Sequence, residues 1–96
     1  MDKEKTKVIF RRWLNGSVIA LFPEIATDTL GYYCQSYMHV GQHGPSSPTL
    51  VSSTKPASKE EYQALFDELT ELGYNLEVIK RFRYSHQQTR KEMYKP

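Results

Sequence analysis

The stretch SYMHVGQHGPSS, residues 36–47, places His39 and His43 four positions apart among Gly41, Gly44 and Pro45. A His-x-x-x-His pair chelates a metal well when both imidazoles sit on one helical turn. The glycines and the proline argue against a helix here. On an extended strand, residues four apart are separated by about 13 Å, too far to share a zinc ion whose bonds are about 2 Å long. Asp28, Cys34 and His86 qualify as further ligands by type alone. Cys34 and His39 make the other reactive pair, but strand alternation sets them on opposite faces of a sheet, where they cannot exchange a proton. The glycines of GQHGPSS lack the lysine and the following helix of a phosphate-binding loop. The sequence therefore assigns no catalytic residue, no metal and no cofactor. A metal-dependent enzyme around His39 and His43 stands as the third-ranked reading.

The chemistry that remains is recognition, and it depends on which residues share a sheet face. VIFRRW, residues 8–13, and VIALF, residues 18–22, read as two strands. Asn15-Gly16 between them suits a two-residue type I′ turn. That turn pairs Arg12 with Ile19 and Phe10 with Leu21. It puts Val8, Phe10, Ile19 and Leu21 on one face, and Ile9, Arg11, Trp13, Val18, Ala20 and Phe22 on the other. Pro23 is expected to end the second strand. YYCQSYMHV, residues 32–40, alternates as a third strand, with Tyr33, Gln35, Tyr37 and His39 on one side. Residues 41–56 read as a long surface loop with room for a short strand at 49–53. Ser58 and Glu61 form a capping box, Tyr62, Leu65, Phe66, Leu69 and Leu72 recur at helical spacing, and Gly73 closes the helix. NLEVIKRFRY, residues 75–84, reads as a last strand.

The order is then β-β-β-α-β. The expectation is one α+β domain over residues 1–96, with a core of about residues 7–84 and a polar tail, 85–96. A mostly antiparallel sheet of three to four strands carries the helix on one face. The opposite face gathers Arg11, Trp13, Tyr33, Gln35, Tyr37, His39, Arg81 and Arg83. Interleaved aromatic and arginine side chains suit a protein partner or a second copy of the chain. They also suit single-stranded nucleic acid, whose bases stack on rings while guanidinium groups hold phosphates. The first reading is a non-catalytic protein-interaction module, and the alternative is a nucleic-acid binder.

Composition narrows the setting. The chain has 96 residues, 39% of them hydrophobic and 25% charged, with a net charge of +2. It lacks an apolar run long enough to span a bilayer, so no membrane association is expected. The single Cys34 allows no internal disulfide, and the charged MDKEKTK start lacks a secretion signal's apolar core, which together predict a cytoplasmic protein. Lysines and arginines concentrate near both termini, while Glu60, Glu61, Asp67, Glu68 and Glu71 lie between. Such asymmetry makes an anionic partner more plausible than the net charge suggests.

VIALFPEI, YCQSYMHVGQHG and KPASKEEYQALFDELTELGY together resemble a group of small proteins without an established activity, encoded in gut bacterial genomes near phage and conjugative elements. The resemblance spans roughly residues 8 to 84. It implies an intracellular protein connected with a mobile element, and it assigns no site residues.

Overall fold

A computed structural model describes residues 5–28, 30–38 and 42–93. The fold is α+β, built on one largely antiparallel sheet. Its path is β4 (Gln42–Ser46), β3 (Cys34–Met38), β2 (Val18–Ala26), β1 (Thr6–Arg12) and β5 (Lys55–Pro56). A sixth strand, β6 (Leu76–Val78), pairs in parallel with β1. A 3₁₀ helix, Pro48–Ser53, precedes β5, and two α-helices follow it, α1 (Lys59–Glu71) and α2 (Tyr84–Glu92). The sheet thus exceeds the expected three to four strands, and a second helix occupies much of the expected polar tail. No helix among the described residues is long and apolar enough to cross a membrane.

The first hairpin closes differently from the expected two-residue turn. Gly16 N–H bonds Trp13 O at 3.0 Å, Trp13 N–H bonds Ser17 O at 2.9 Å, and Gly16 takes a φ of +90°. The loop is therefore Leu14-Asn15-Gly16, a turn followed by a glycine bulge. The Asn15 carboxamide accepts from Ser17 N–H at 2.9 Å. One extra loop residue moves the register by one, so that Ile9 faces Leu21 and Phe10 faces Ala20. Because side chains alternate, that shift exchanges the two faces of β1 relative to β2.

Each sheet face has its own core. Val8, Phe10, Ala20, Phe22 and Tyr37 pack against Leu65 and Leu69 of α1. Phe10 stacks on Tyr62 with ring centroids 4.3 Å apart, and Phe22 stacks on Tyr74 at 5.1 Å. On the reverse face, Ile9, Ile19, Leu21 and Cys34 are covered by Leu50 and Val51 of the 3₁₀ helix and by Ile79 and Phe82. The expectation of one covered and one open face is thus corrected. The reverse face is closed by a segment whose sequence reads as loop and by residues that leave the sheet after β6.

Local signals account for α1. Ser58 accepts from Glu61 N–H, and the Glu61 carboxylate accepts from Ser58 N–H at 2.8 Å. At the other end Gly73, with φ +109°, lets Tyr74 N–H reach Leu69 O at 3.1 Å, a Schellman closure. Pro23 does not end β2. The strand continues to Ala26 through an irregularity between Phe22 and Ala26, where pairing with β3 jumps from Gln35 to Cys34. The bulge frees a carbonyl at Pro23, and the Arg90 guanidinium of α2 donates to it. Arg90 Nε also donates to Gly31 O at 3.0 Å. Gly31 lies so close to α2 that a Cβ there would stand 2.8 Å from Lys91 N, at a φ of +76°.

Two outcomes check this packing. Leu69→Ala removes a fully buried α1 side chain and should cost about 2–5 kcal/mol in denaturant unfolding. Leu72→Ala, at an exposed position, should stay within about 0.5 kcal/mol. Equal losses would mean that α1 presents another stripe to the sheet. Gly31→Ala should push α2 off the sheet, read as faster amide exchange across α2 with α1 unaffected. Unchanged exchange in α2 would contradict the close approach.

Candidate anion-binding cleft

The outer edge of β1 is divided between two short strands. β5 pairs antiparallel with Arg11 and Arg12, and β6 pairs in parallel with Thr6, Lys7 and Val8. Beyond the paired residues, Ala57 N–H bonds Phe10 O at 3.1 Å and Ile79 N–H bonds Val8 O at 2.9 Å. The chain then leaves this edge in opposite directions. Ala57 packs on the α1 side, whereas Ile79 packs on the reverse side. A cleft opens where the two strands part, much as ligand crevices open in α/β sheets where neighbouring strands diverge to opposite faces.

Two adjoining cavities form this cleft. One, of about 560 Å³, is lined by Phe10, Tyr62, Val78 and Ile79 with Arg11, Lys59, Lys80 and Arg81. The other, of about 500 Å³, shares Ile79, Lys80 and Arg81 and adds Lys7, Glu77, Arg83, Ser85 and His86. Six cationic side chains therefore surround the pair, against one carboxylate, Glu77. Lys7 is engaged by Glu24 at 3.4 Å. Arg11 is tied to the 3₁₀ segment, donating to Val51 O at 2.7 Å and to Thr54 Oγ1 at 3.0 Å, and burial lowers its pKa. Lys80, Arg81 and Arg83 are exposed and make no ion pair among the described residues.

His86 lines the second of these cavities. It is 2% exposed and lies in the first turn of α2. Its Nδ1 accepts from Arg83 N–H at 2.9 Å. Burial depresses its pKa below the ordinary value of about 6.5; Lys7, Arg90 and Arg83 act in the same direction, and Glu24 opposes them.

Of the eight residues expected to share one open face, three reach the cleft: Arg11, Arg81 and Arg83. The others are distributed by the hairpin register. Tyr37 is 1% exposed in the α1-side core, and its hydroxyl bonds the Glu68 carboxylate. Gln35 faces Phe22 across the sheet, half-buried. Tyr33 is 47% exposed, in the turn that packs beside α2. Trp13 lies on the reverse side, lining a cavity of about 310 Å³ with Ile19, Met38 and Leu50. Arg11 and Trp13 thus lie on the opposite face from Gln35 and Tyr37. His39 lies outside the described residues. His43 pairs with Tyr37 through the backbone of β4. Cys34 is fully buried and burial pushes its thiol up to about 11, so at neutral pH it packs as a protonated thiol.

Sequence reasoning missed Lys7, Lys59, Lys80, Ser85 and His86 as cleft residues. Lys80 carried a signal, since it opens the basic run KRFR. His86 carried none, because its role rests on contacts made only once α2 docks. Comparison of the chain with models of known protein families, with curated proteins and with solved structures finds no match in any of the three.

The His86 arrangement sets a pH dependence. Protonating Nδ1 would remove the acceptor for Arg83 N–H and add charge beside Lys7 and Arg90. A depressed folded pKa contributes stability that is complete above about pH 6.5 and is lost as pH falls through the lower folded value. The denaturant midpoint should therefore drop on going from about pH 7 to pH 5. His86→Asn, whose side-chain oxygen still accepts from Arg83 N–H, should flatten that part of the profile. An equally steep profile in the variant would assign the acid sensitivity elsewhere.

Proposed function

We propose that the protein is a non-catalytic binding module whose ligand surface is the basic cleft, and that its ligand is single-stranded nucleic acid. The observation that carries this reading is the charge imbalance: six cationic side chains against Glu77 around two joined cavities. Clefts lined by one sign of charge focus the field and draw oppositely charged ligands. The cleft also offers a ring. Tyr62 is half-buried and lines the larger cavity with Arg11 and Arg81, and aromatics next to guanidinium groups are the elements on which unpaired bases stack. The acids of α1, Glu60, Glu61, Asp67, Glu68 and Glu71, do not line the cleft, to which that helix contributes Lys59 and Tyr62.

A second reading, a protein partner or second copy, is favoured by a different observation. Leu30, Tyr32, Tyr33 and Met93 are all exposed around the end of α2, and exposed aromatic and aliphatic groups of this kind mark protein contacts.

Salt separates the two. Binding of a short single-stranded oligonucleotide should weaken with a log–log slope of about −0.7 for each phosphate contact. The Lys80→Gln, Arg81→Gln double variant should weaken binding and flatten the slope by about 1.4. A wild-type chain that binds no oligonucleotide at low salt yet dimerises, with Tyr33→Ala monomeric, would replace the first reading with the second.

A further inference from the structure

We infer that the cavity at the start of α2 is a phosphate pocket with the His86 Nε2–H as its inner donor, and that it receives the terminal phosphate of a strand held in the cleft. The strand is taken from the reading above, whereas the pocket rests on its own geometry. Arg83 N–H donates to His86 Nδ1 at 2.9 Å, so the neutral ring carries its proton on Nε2. Among the described residues no acceptor bonds Nε2, although His86 is 2% exposed and lines a cavity of about 500 Å³. Nε2 is not among the fully buried polar atoms without a partner, so it reaches the cavity, where a ligand oxygen can replace water as its acceptor.

The start of α2 points to the charge of that ligand. Arg83 occupies the N-cap without a side-chain acceptor, and the first turn holds no acid. The positive end of the helix dipole therefore faces the cavity with no carboxylate in its own first turn, Glu77 being the one carboxylate in the cavity lining and Glu24 lying beyond it, paired with Lys7. The start of α1 differs, because the Glu61 carboxylate already closes it. Lys80, Arg81 and Arg83 stand exposed around the mouth, with Ser85 beside His86.

Burial and charge select the form of phosphate. His86 is almost fully buried while Lys80, Arg81 and Arg83 are exposed, so a chain end reaches His86 with less obstruction than an internal diester, which has chain on both sides. A terminal monoester also carries close to two negative charges at neutral pH, against one for a diester.

The test uses the full chain and two oligothymidylates of equal length, one ending in a 5′-phosphate and one in a 5′-hydroxyl, followed by fluorescence anisotropy. The 5′-phosphorylated strand should bind about tenfold tighter or more. His86→Asn, which keeps an acceptor for Arg83 N–H, should bring the ratio of the two affinities to about one, and Lys80→Gln should weaken both strands. In parallel, inorganic phosphate is titrated while the His86 Nε2 resonance is followed. Equal affinity for the two strands in the wild type overturns the terminal-phosphate pocket and leaves the cleft reading standing. A His86 resonance that moves with phosphate while neither strand binds keeps the phosphate site and removes the nucleic acid. No response to strand or phosphate overturns both.

Discussion

The fold depends on how β1 is enclosed. This strand is paired along its inner edge by β2, and its outer edge is divided between β5 and β6. Its side chains are buried on both faces, with Val8 and Phe10 toward α1 and Ile9 toward the 3₁₀ segment and the turn into α2. A strand enclosed on every side needs two covering layers, and a chain of 96 residues must supply both. Dividing the outer edge achieves this, because each short strand delivers the chain to a different face. The cleft is the geometric remainder of that solution. Where the two strands part, between Ile79 on Val8 and Ala57 on Phe10, the residues that turn away line the opening.

The two covering layers are held by different physics. α1 is an amphipathic helix whose aromatic and leucine stripe packs on Phe10, Phe22 and Tyr37. Its adhesion is mainly apolar burial, joined by the bond of the Tyr37 hydroxyl to the Glu68 carboxylate and by the Arg12–Glu61 ion pair. α2 buries His86 and Arg90 instead. It is held by charge-assisted hydrogen bonds from Arg90 to the carbonyls of Pro23 and Gly31, by the close approach of Gly31, and by Ala26 N–H reaching Met93 Sδ at 3.1 Å. Such contacts are geometrically exacting, and they fix the second half of α2 against β2 and the turn before β3. Placing the helix in this way sets where Arg83, Ser85 and His86 of its start stand beside Lys7 and Lys80, which come from other parts of the chain.

The same distinction decides how much was legible in the sequence. α1 could be read almost to the residue, because its cap, stripe and glycine stop are local signals. The hairpin could also be read, but not its register. Asn15-Gly16 is compatible with either a two- or a three-residue loop, and the choice falls to the packing of Phe10 opposite Ala20 rather than Leu21. That single step separates the Arg11 row from the Tyr37 row and removes the shared face on which they were expected to meet. β4 and β5 were hidden by the glycine, serine and proline content of residues 41–56. α2 was hidden because its buried positions are polar, so no apolar period marks it. Within the cleft, Arg81 and Arg83 were legible as cations, yet their assembly with Lys7 and His86 exists only in three dimensions.

The central claim is that the ligand surface lies where β5 and β6 diverge. Mapping backbone amide shifts by nuclear magnetic resonance during titration with a single-stranded oligonucleotide at low salt tests it most directly. The account predicts perturbations concentrated at Lys7, at Ser58 and Lys59, and along residues 78–86. Perturbations centred on Trp13 or Tyr33, or none at all, would contradict it.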